Sequence, residues 1–367
     1  MLDQIILAAT MALVGVLMVY LPVMKGPDAF FGIPVSDEFY RGSVARKYLQ
    51  AYRLVTGLIV LAAIAVMLGA TGLPLTPGLV LTALLVGCLG PMVPLVVFWR
   101  RLRPHEVGPR AGETAAVEER PANKWRYVSP WVEVLLVVGL VVLAGLTVWR
   151  YPQLPERIPT HWGPAGRADG WSRRTPFVFV SLLLLLGYLH ALLLTLLVGM
   201  AQAPVRLPAA RVEEYRAVRE RYMAMWVQFT NAMRLALLVM FGGIVWASLF
   251  GIGRQAKGAA PPGMILVLIG TVGLFALLPW LIVRLYRLRG EMREIAGPGS
   301  LERTSPTEGW IGGMIYYNKQ DPAIWVERRL GVGWTVNFAQ PTAWLIMLLA
   351  IGVPIGAAVM AVVATAK

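Results

Sequence analysis

Long uncharged apolar runs, separated by polar stretches rich in arginine, set the organisation of this 367-residue chain. The first run, residues 4–24, is long enough as a helix to cross about 30 Å of hydrocarbon. No positive charge precedes it in Met1-Leu2-Asp3, and Lys25, Arg41, Arg46, Lys47 and Arg53 follow it. It is therefore expected to stay as a membrane helix with the N-terminus outside, not to be cleaved as a signal peptide. Between Arg53 and Arg100 lie 46 uncharged residues, too many for one helix, and the Gly/Pro-rich residues 72–78 break them into a helical hairpin. Five more runs predict spans at residues 128–149, 177–199, 232–250, 264–283 and 342–364.

The polar stretches differ in kind. Residues 101–127 carry Ala, Glu, Pro and Gly with little apolar content and are expected to form a mobile cytoplasmic linker. Residues 206–221 alternate Arg and Glu and predict a solvated or interfacial helix. Residues 151–176 are the most constrained. Pro152, Pro155, Pro159 and Pro164 restrict φ while Gly163, Gly166 and Gly170 permit turns, which predicts an ordered external loop without regular structure. The expected fold class is all-α: a polytopic integral membrane protein of about eight transmembrane helices with both termini extracytoplasmic. Its expected divisions are 1–127, 128–200, 201–283 and 284–367.

Composition supports that class. With 57% hydrophobic residues, 15% charged residues and a mean hydropathy of +0.64, the chain is far too apolar for a soluble domain around one core. The formal charge of +14 alone would suggest nucleic acid. Under the proposed topology, however, 25 of the 34 basic residues fall in inside loops and 8 outside, so the positive-inside bias accounts for the charge and no nucleic-acid partner is expected. Cys88 is the single cysteine, which excludes an intramolecular disulfide and a cysteine zinc cluster.

Two stretches carry recognisable order. Leu154-Pro155-Glu156-Arg157-Ile158-Pro159-Thr160-His161-Trp162, then Gly166, then Asp169-Gly170-Trp171, resembles the signature of the DUF1648 family of bacterial membrane proteins. That family includes immunity proteins against sporulation-delaying toxins. Tyr316-Tyr317-Asn318-Lys319-Gln320-Asp321-Pro322 followed by Arg328-Arg329-Leu330-Gly331-Val332-Gly333-Trp334-Thr335-Val336-Asn337-Phe338 resembles the DUF5808 motif. The resemblance implies a cell-membrane protein that senses or resists an extracytoplasmic peptide or envelope stress. Its partners would be the lipid bilayer and either such a peptide or a cytoplasmic regulator.

His161 and Asp169 are the sharpest pair for chemistry, able in principle to share a metal or a proton. With Glu156 the only other loop acid, the set falls short of a closed zinc site, so no metal or cofactor is expected. The alternative is that both residues bond backbone groups and hold the turns. Pro159, Trp162, Gly166, Gly170 and Trp171 complete that candidate loop. Within the membrane, the ionisable candidates are Glu133, His190 and Arg234. Glu133 and Arg234 are each expected about one turn from a cytoplasmic end, snorkelling or paired with each other, and His190 is expected to bond a neighbouring helix. The Gly331/Gly333 pair is not a dinucleotide fingerprint, and Arg328-Arg329 suits lipid phosphate. No catalytic triad, P-loop or HExxH is present, so turnover is not expected. Transport is the rival reading, and a membrane-embedded hydrolase the third.

Overall fold

The computed structural model describes residues 2–69, 76–108, 117–119, 123–163, 166–208, 211–251, 261, 263–297 and 308–353. Its helices are α1 (Leu2–Tyr20), α2 (Asp37–Arg41), α3 (Ser43–Gly69), α4 (Thr76–Leu89), α5 (Met92–Leu102), α6 (Pro130–Arg150), α7 (Pro176–Gln202), α8 (Val212–Phe250), α9 (Gly263–Ala296) and α10 (Pro341–Met347). Among the described residues, six helical stretches are long and apolar enough to cross a membrane: Ser43–Gly69, Gly78–His105, Pro130–Gln153, Pro176–Gln202, Val212–Phe250 and Gly263–Ala296. Shorter apolar helices occupy the regions expected for the first and last spans, at Leu7–Val23 and Pro341–Gly352. The end of that last expected span, from Pro354, lies outside the described residues.

The all-α expectation needs one correction. Among the described residues, four antiparallel two-stranded ribbons accompany the helices: β1 (Val117–Glu119) with β4 (Val205–Leu207), β2 (Arg157–Trp162) with β3 (Ala168–Arg173), β5 (Trp310–Ile311) with β6 (Ile315–Tyr316), and β7 (Trp325–Glu327) with β8 (Trp334–Val336). Residues 109–116 and 120–122 of the expected linker lie outside the described residues, but the strand at 117–119 pairs with 205–207. The expected solvated or interfacial helix over 206–221 is corrected at its start, which is strand; from Val212 it is helix, with Glu213, Glu214, Glu220 and Arg221 exposed and Tyr215, Val218 and Arg219 buried.

The chain divides into two compact units. The first comprises residues 1–121, 203–215 and 293–367. In it α1, α3 and α4 pack around Met11, Ala63, Met67 and Ala83, with Cys88 at the margin. A second core gathers Phe30, Phe31, Ile33, Tyr52, Leu95, Phe98, Trp99, Leu102 and Leu330. The turn at its centre has Phe31 and Gly32 at positive φ, and Gly32 lies so close to Gly313 that a Cβ at 32 would meet the Gly313 Cα at 2.7 Å. Only glycine permits that backbone approach. The Tyr52 hydroxyl closes the arrangement by donating to the Met18 carbonyl at 2.8 Å.

The second unit comprises residues 122–202 and 216–292. Here α8 and α9 meet through small residues: a Cβ on Gly263 would lie 2.3 Å from the Gly243 carbonyl oxygen, and one on Gly270 would lie 2.7 Å from the Met240 Cβ. Close small-residue packing of this kind replaces the hydrophobic drive that lipid cannot supply. In α6 and α9 most apolar side chains are unburied, Val137, Val141, Ile265 and Phe275 among those facing outward. Hydrocarbon is the surrounding those faces require.

Candidate functional sites

The proline-rich stretch between α6 and α7 is a β-hairpin, so the expected absence of regular structure is corrected there. Pro159 is tolerated because a two-stranded ribbon consists of edges, where a missing N–H breaks no central ladder. Ile158 turns inward to a core with Leu154, Phe179, Val245 and Leu249. The root is tied down by Arg174, whose guanidinium donates to the carbonyls of Pro152 (3.2 Å) and Leu154 (2.6 Å) and lies over the Tyr151 ring. Ser248 on α8 donates to the Pro159 carbonyl at 3.2 Å. At the turn, Gly166 takes φ +71°, and its N–H donates to the Gly163 carbonyl.

This frame leaves an outward face that alternates residue by residue along β3 and is interrupted along β2, where Ile158 and Pro159 are both buried. Arg157 and His161 on β2 and Asp169, Trp171 and Arg173 on β3 are exposed. His161 Nδ1 and Asp169 Oδ1 are 2.5 Å apart, with side chains 69% and 54% exposed. The expectation that they bond backbone groups is corrected: they bond each other, across a register in which His161 faces Gly170. A Cβ at 170 would lie 2.7 Å from the His161 Cβ, so Gly170 makes room for the imidazole. Trp162 is half-buried. Among the described residues no three His, Cys, Asp or Glu side chains converge as metal ligands. The pair offers a solvent-facing imidazole held by a carboxylate, suited to hydrogen bonding a ligand.

A second site lies inside the bundle. Arg234 Nη1 and Nη2 donate to Glu133 Oε1 and Oε2, each at 2.6 Å, a bidentate fork in which the arginine side chain is 2% exposed and the glutamate 26%. The expected mutual pair is present, and Arg234 lies within α8, which continues past the expected span back to Val212. Measured from Arg150, Pro176 and Phe250 at the hairpin end, Glu133, His190 and Arg234 lie about 26, 21 and 24 Å along α6, α7 and α8, so His190 lies within about one helical turn of the level of the other two. His190 is buried, and the charges of both Arg234 and Glu133 act on it. The expected bond from His190 to a neighbouring helix is corrected: among the described residues neither ring nitrogen has a hydrogen-bond partner.

The second sequence motif is a folded knot in the first unit. Asn337 is fully buried, and its side chain is saturated: Oδ1 accepts from the backbone N–H of Asn318 (3.0 Å) and Ala339 (3.2 Å), while Nδ2 donates to the carbonyls of Asn318 (2.8 Å) and Asp321 (2.9 Å). Tyr316 donates to Asp321 Oδ2 at 3.0 Å and accepts from Asn318 Nδ2 at 3.2 Å, and burial pushes its phenol above the usual value. Gly331 and Gly333 take positive φ in the turn between β7 and β8, where Arg328 N–H donates to the Gly333 carbonyl. Arg329 is buried, and burial holds the Arg328 guanidinium below its ordinary pKa, so neither arginine is a simple exposed lipid contact. Tyr317 is exposed, Trp334 is half-buried, and Pro322 follows Asp321 into the turn.

Residues 136–186 match the family model described as Domain of unknown function (DUF1648), and residues 319–344 match Family of unknown function (DUF5808). The chain carries both domains. No curated protein and no solved structure matches it. The DUF1648 domain thus consists of most of α6, the hairpin and the first part of α7, and the DUF5808 segment holds β7, β8 and Asn337. Arg174 and Ser248, which fix the hairpin, were not singled out by sequence reasoning. Arg174 was one arginine among four in its loop, and Ser248 lies 89 residues from the carbonyl it bonds.

Proposed function

We propose that this protein resides in a bacterial inner membrane with eight spans and both termini outside. In this reading it acts by recognition, not turnover, with the DUF1648 hairpin receiving an extracytoplasmic peptide or reporting envelope stress. The observation that carries it is the hairpin's division of labour. Arg174, Ile158 and Ser248 hold one face rigidly to the bundle, while His161, Asp169 and Trp171 stand exposed on the other. Rigid presentation of an aromatic beside a hydrogen-bonding pair lowers the ordering cost of binding. Resemblance to immunity proteins supplies the ligand class. Photo-crosslinking from position 171 in native membranes tests it. The expected result is a peptide or protein adduct that is lost in His161→Ala/Asp169→Ala, and no adduct beyond the chain itself overturns the reading.

A permease subunit is the second reading, favoured by the similar depth of Glu133, His190 and Arg234. Modification of His190→Cys by a small water-soluble thiol reagent, on a Cys88→Ser background, separates the two. Labelling supports an aqueous path, and protection supports a sealed structural pair.

A further inference from the structure

Arg157 and Arg173 are directly opposed in the hairpin, the first cross-strand pair at its root. Side chains so placed stand about 5 Å apart at Cβ, and like charges there repel. Both are exposed, and no acid pairs with either among the described residues. The other arginines of the stretch are differently placed: Arg150 is bonded to Gln153 and lies over the Phe250 ring, Arg174 ties the root, and Arg167 stands toward the tip. The opposed pair is therefore a local concentration of positive charge that folding brings together and does not neutralise.

Its depth is set by the helices. α6 has 21 residues and a length of about 31 Å, matching a hydrocarbon core of about 30 Å, so the hairpin root begins where the headgroups begin. Trp149 and Phe177, strongly exposed at the two helix ends, mark the same level. Arg173 precedes the first residue of α7 by three positions, at most about 10 Å of chain, within side-chain reach of a phosphate layer. Trp171 shares that outward face, and its amphipathic ring is suited to the interface.

We propose that Arg157 and Arg173 together clamp the phosphate of an anionic phospholipid headgroup, making the hairpin root a specific lipid-binding site. Each guanidinium can present a two-donor fork to phosphate oxygens. Two cations favour a net-anionic headgroup over a zwitterionic one, whose own ammonium they would repel. The proposal does not depend on peptide recognition by the His161 face.

The full-length protein in detergent, examined by native mass spectrometry and thermal melting with phosphatidylglycerol, phosphatidylcholine or free glycerol phosphate, tests this. Wild type is expected to prefer phosphatidylglycerol by about tenfold or more and to be stabilised by it. Arg157→Gln/Arg173→Gln should lose that preference while melting no lower than wild type without lipid, since a repulsion has been removed. Arg157→Lys/Arg173→Lys should retain part of the preference, and Arg167→Gln all of it. Full preference in the double Gln variant overturns the proposal, as does an equal loss in Arg167→Gln. Competition by glycerol phosphate as strong as by intact lipid would assign the site to a soluble phosphate and overturn the lipid assignment.

Discussion

Arg234 and Glu133 illustrate how little a buried ion pair adds and how much its breakage costs. Removing one partner leaves a desolvated charge, whereas replacing both with apolar groups removes the desolvation penalty as well. Glu133→Gln should lower stability by about 3–5 kcal/mol, while Glu133→Leu/Arg234→Met should stay near wild type or exceed it, read by thermal unfolding in one detergent. A double variant as damaged as the single one would place the pair in function or assembly, not merely in mutual satisfaction. Tyr316 gives a pH-dependent counterpart outside the membrane. Its folded phenol holds its proton more tightly than the unfolded one, so its contribution is complete below the ordinary tyrosine range near 10 and fades as pH rises through the higher folded value. Alkaline difference spectra should show one fewer late-titrating phenolate in Tyr316→Phe than in wild type.

The hairpin shows why composition concealed a strand. Five prolines and three glycines in residues 151–176 argue against a ladder, yet a two-stranded ribbon asks few N–H donors of the chain. The alternation of Arg157 with Ile158, and of Asp169, Trp171 and Arg173 with the residues between, was the strand signal, and proline density outweighed it. Gly170 tests the geometry. Gly170→Ala forces a methyl toward the His161 Cβ, so it should separate His161 from Asp169, speed proteolysis within the hairpin and cost about 1–3 kcal/mol. Unchanged proteolysis and melting would mean that the ribbon shifts freely to accept a side chain. The DUF5808 knot behaves otherwise. Its motif residues were legible as a group, but that Asn337 is the saturated centre, bonded to backbone atoms of three other residues, depended on turns that no local pattern reports.

The membrane character of the molecule follows from its apolar runs, and its orientation can be measured directly. On a Cys88→Ser background, an impermeant maleimide should label Arg167→Cys in intact cells and Lys319→Cys only after permeabilisation, as the basic asymmetry requires. The reverse pattern would invert the topology. Length and hydropathy alone predicted eight spans, and six of them are helices long and apolar enough to cross a bilayer among the described residues, because hydrocarbon demands about 20 apolar residues with satisfied backbone groups whatever their neighbours. The same reasoning located Glu133, His190 and Arg234 as costly residues, since the penalty of burying charge depends on residue type and depth. A mutual Glu133–Arg234 pair was legible in the sequence, and only the tertiary structure decided that it is a bidentate fork with His190 within about one turn of its level on α7. Packing likewise brought Gly32 against Gly313, and folding set Arg157 beside Arg173 on one outward face. Those proximities join residues distant in the chain, and they are fixed by helix contacts and strand register, which local sequence does not encode.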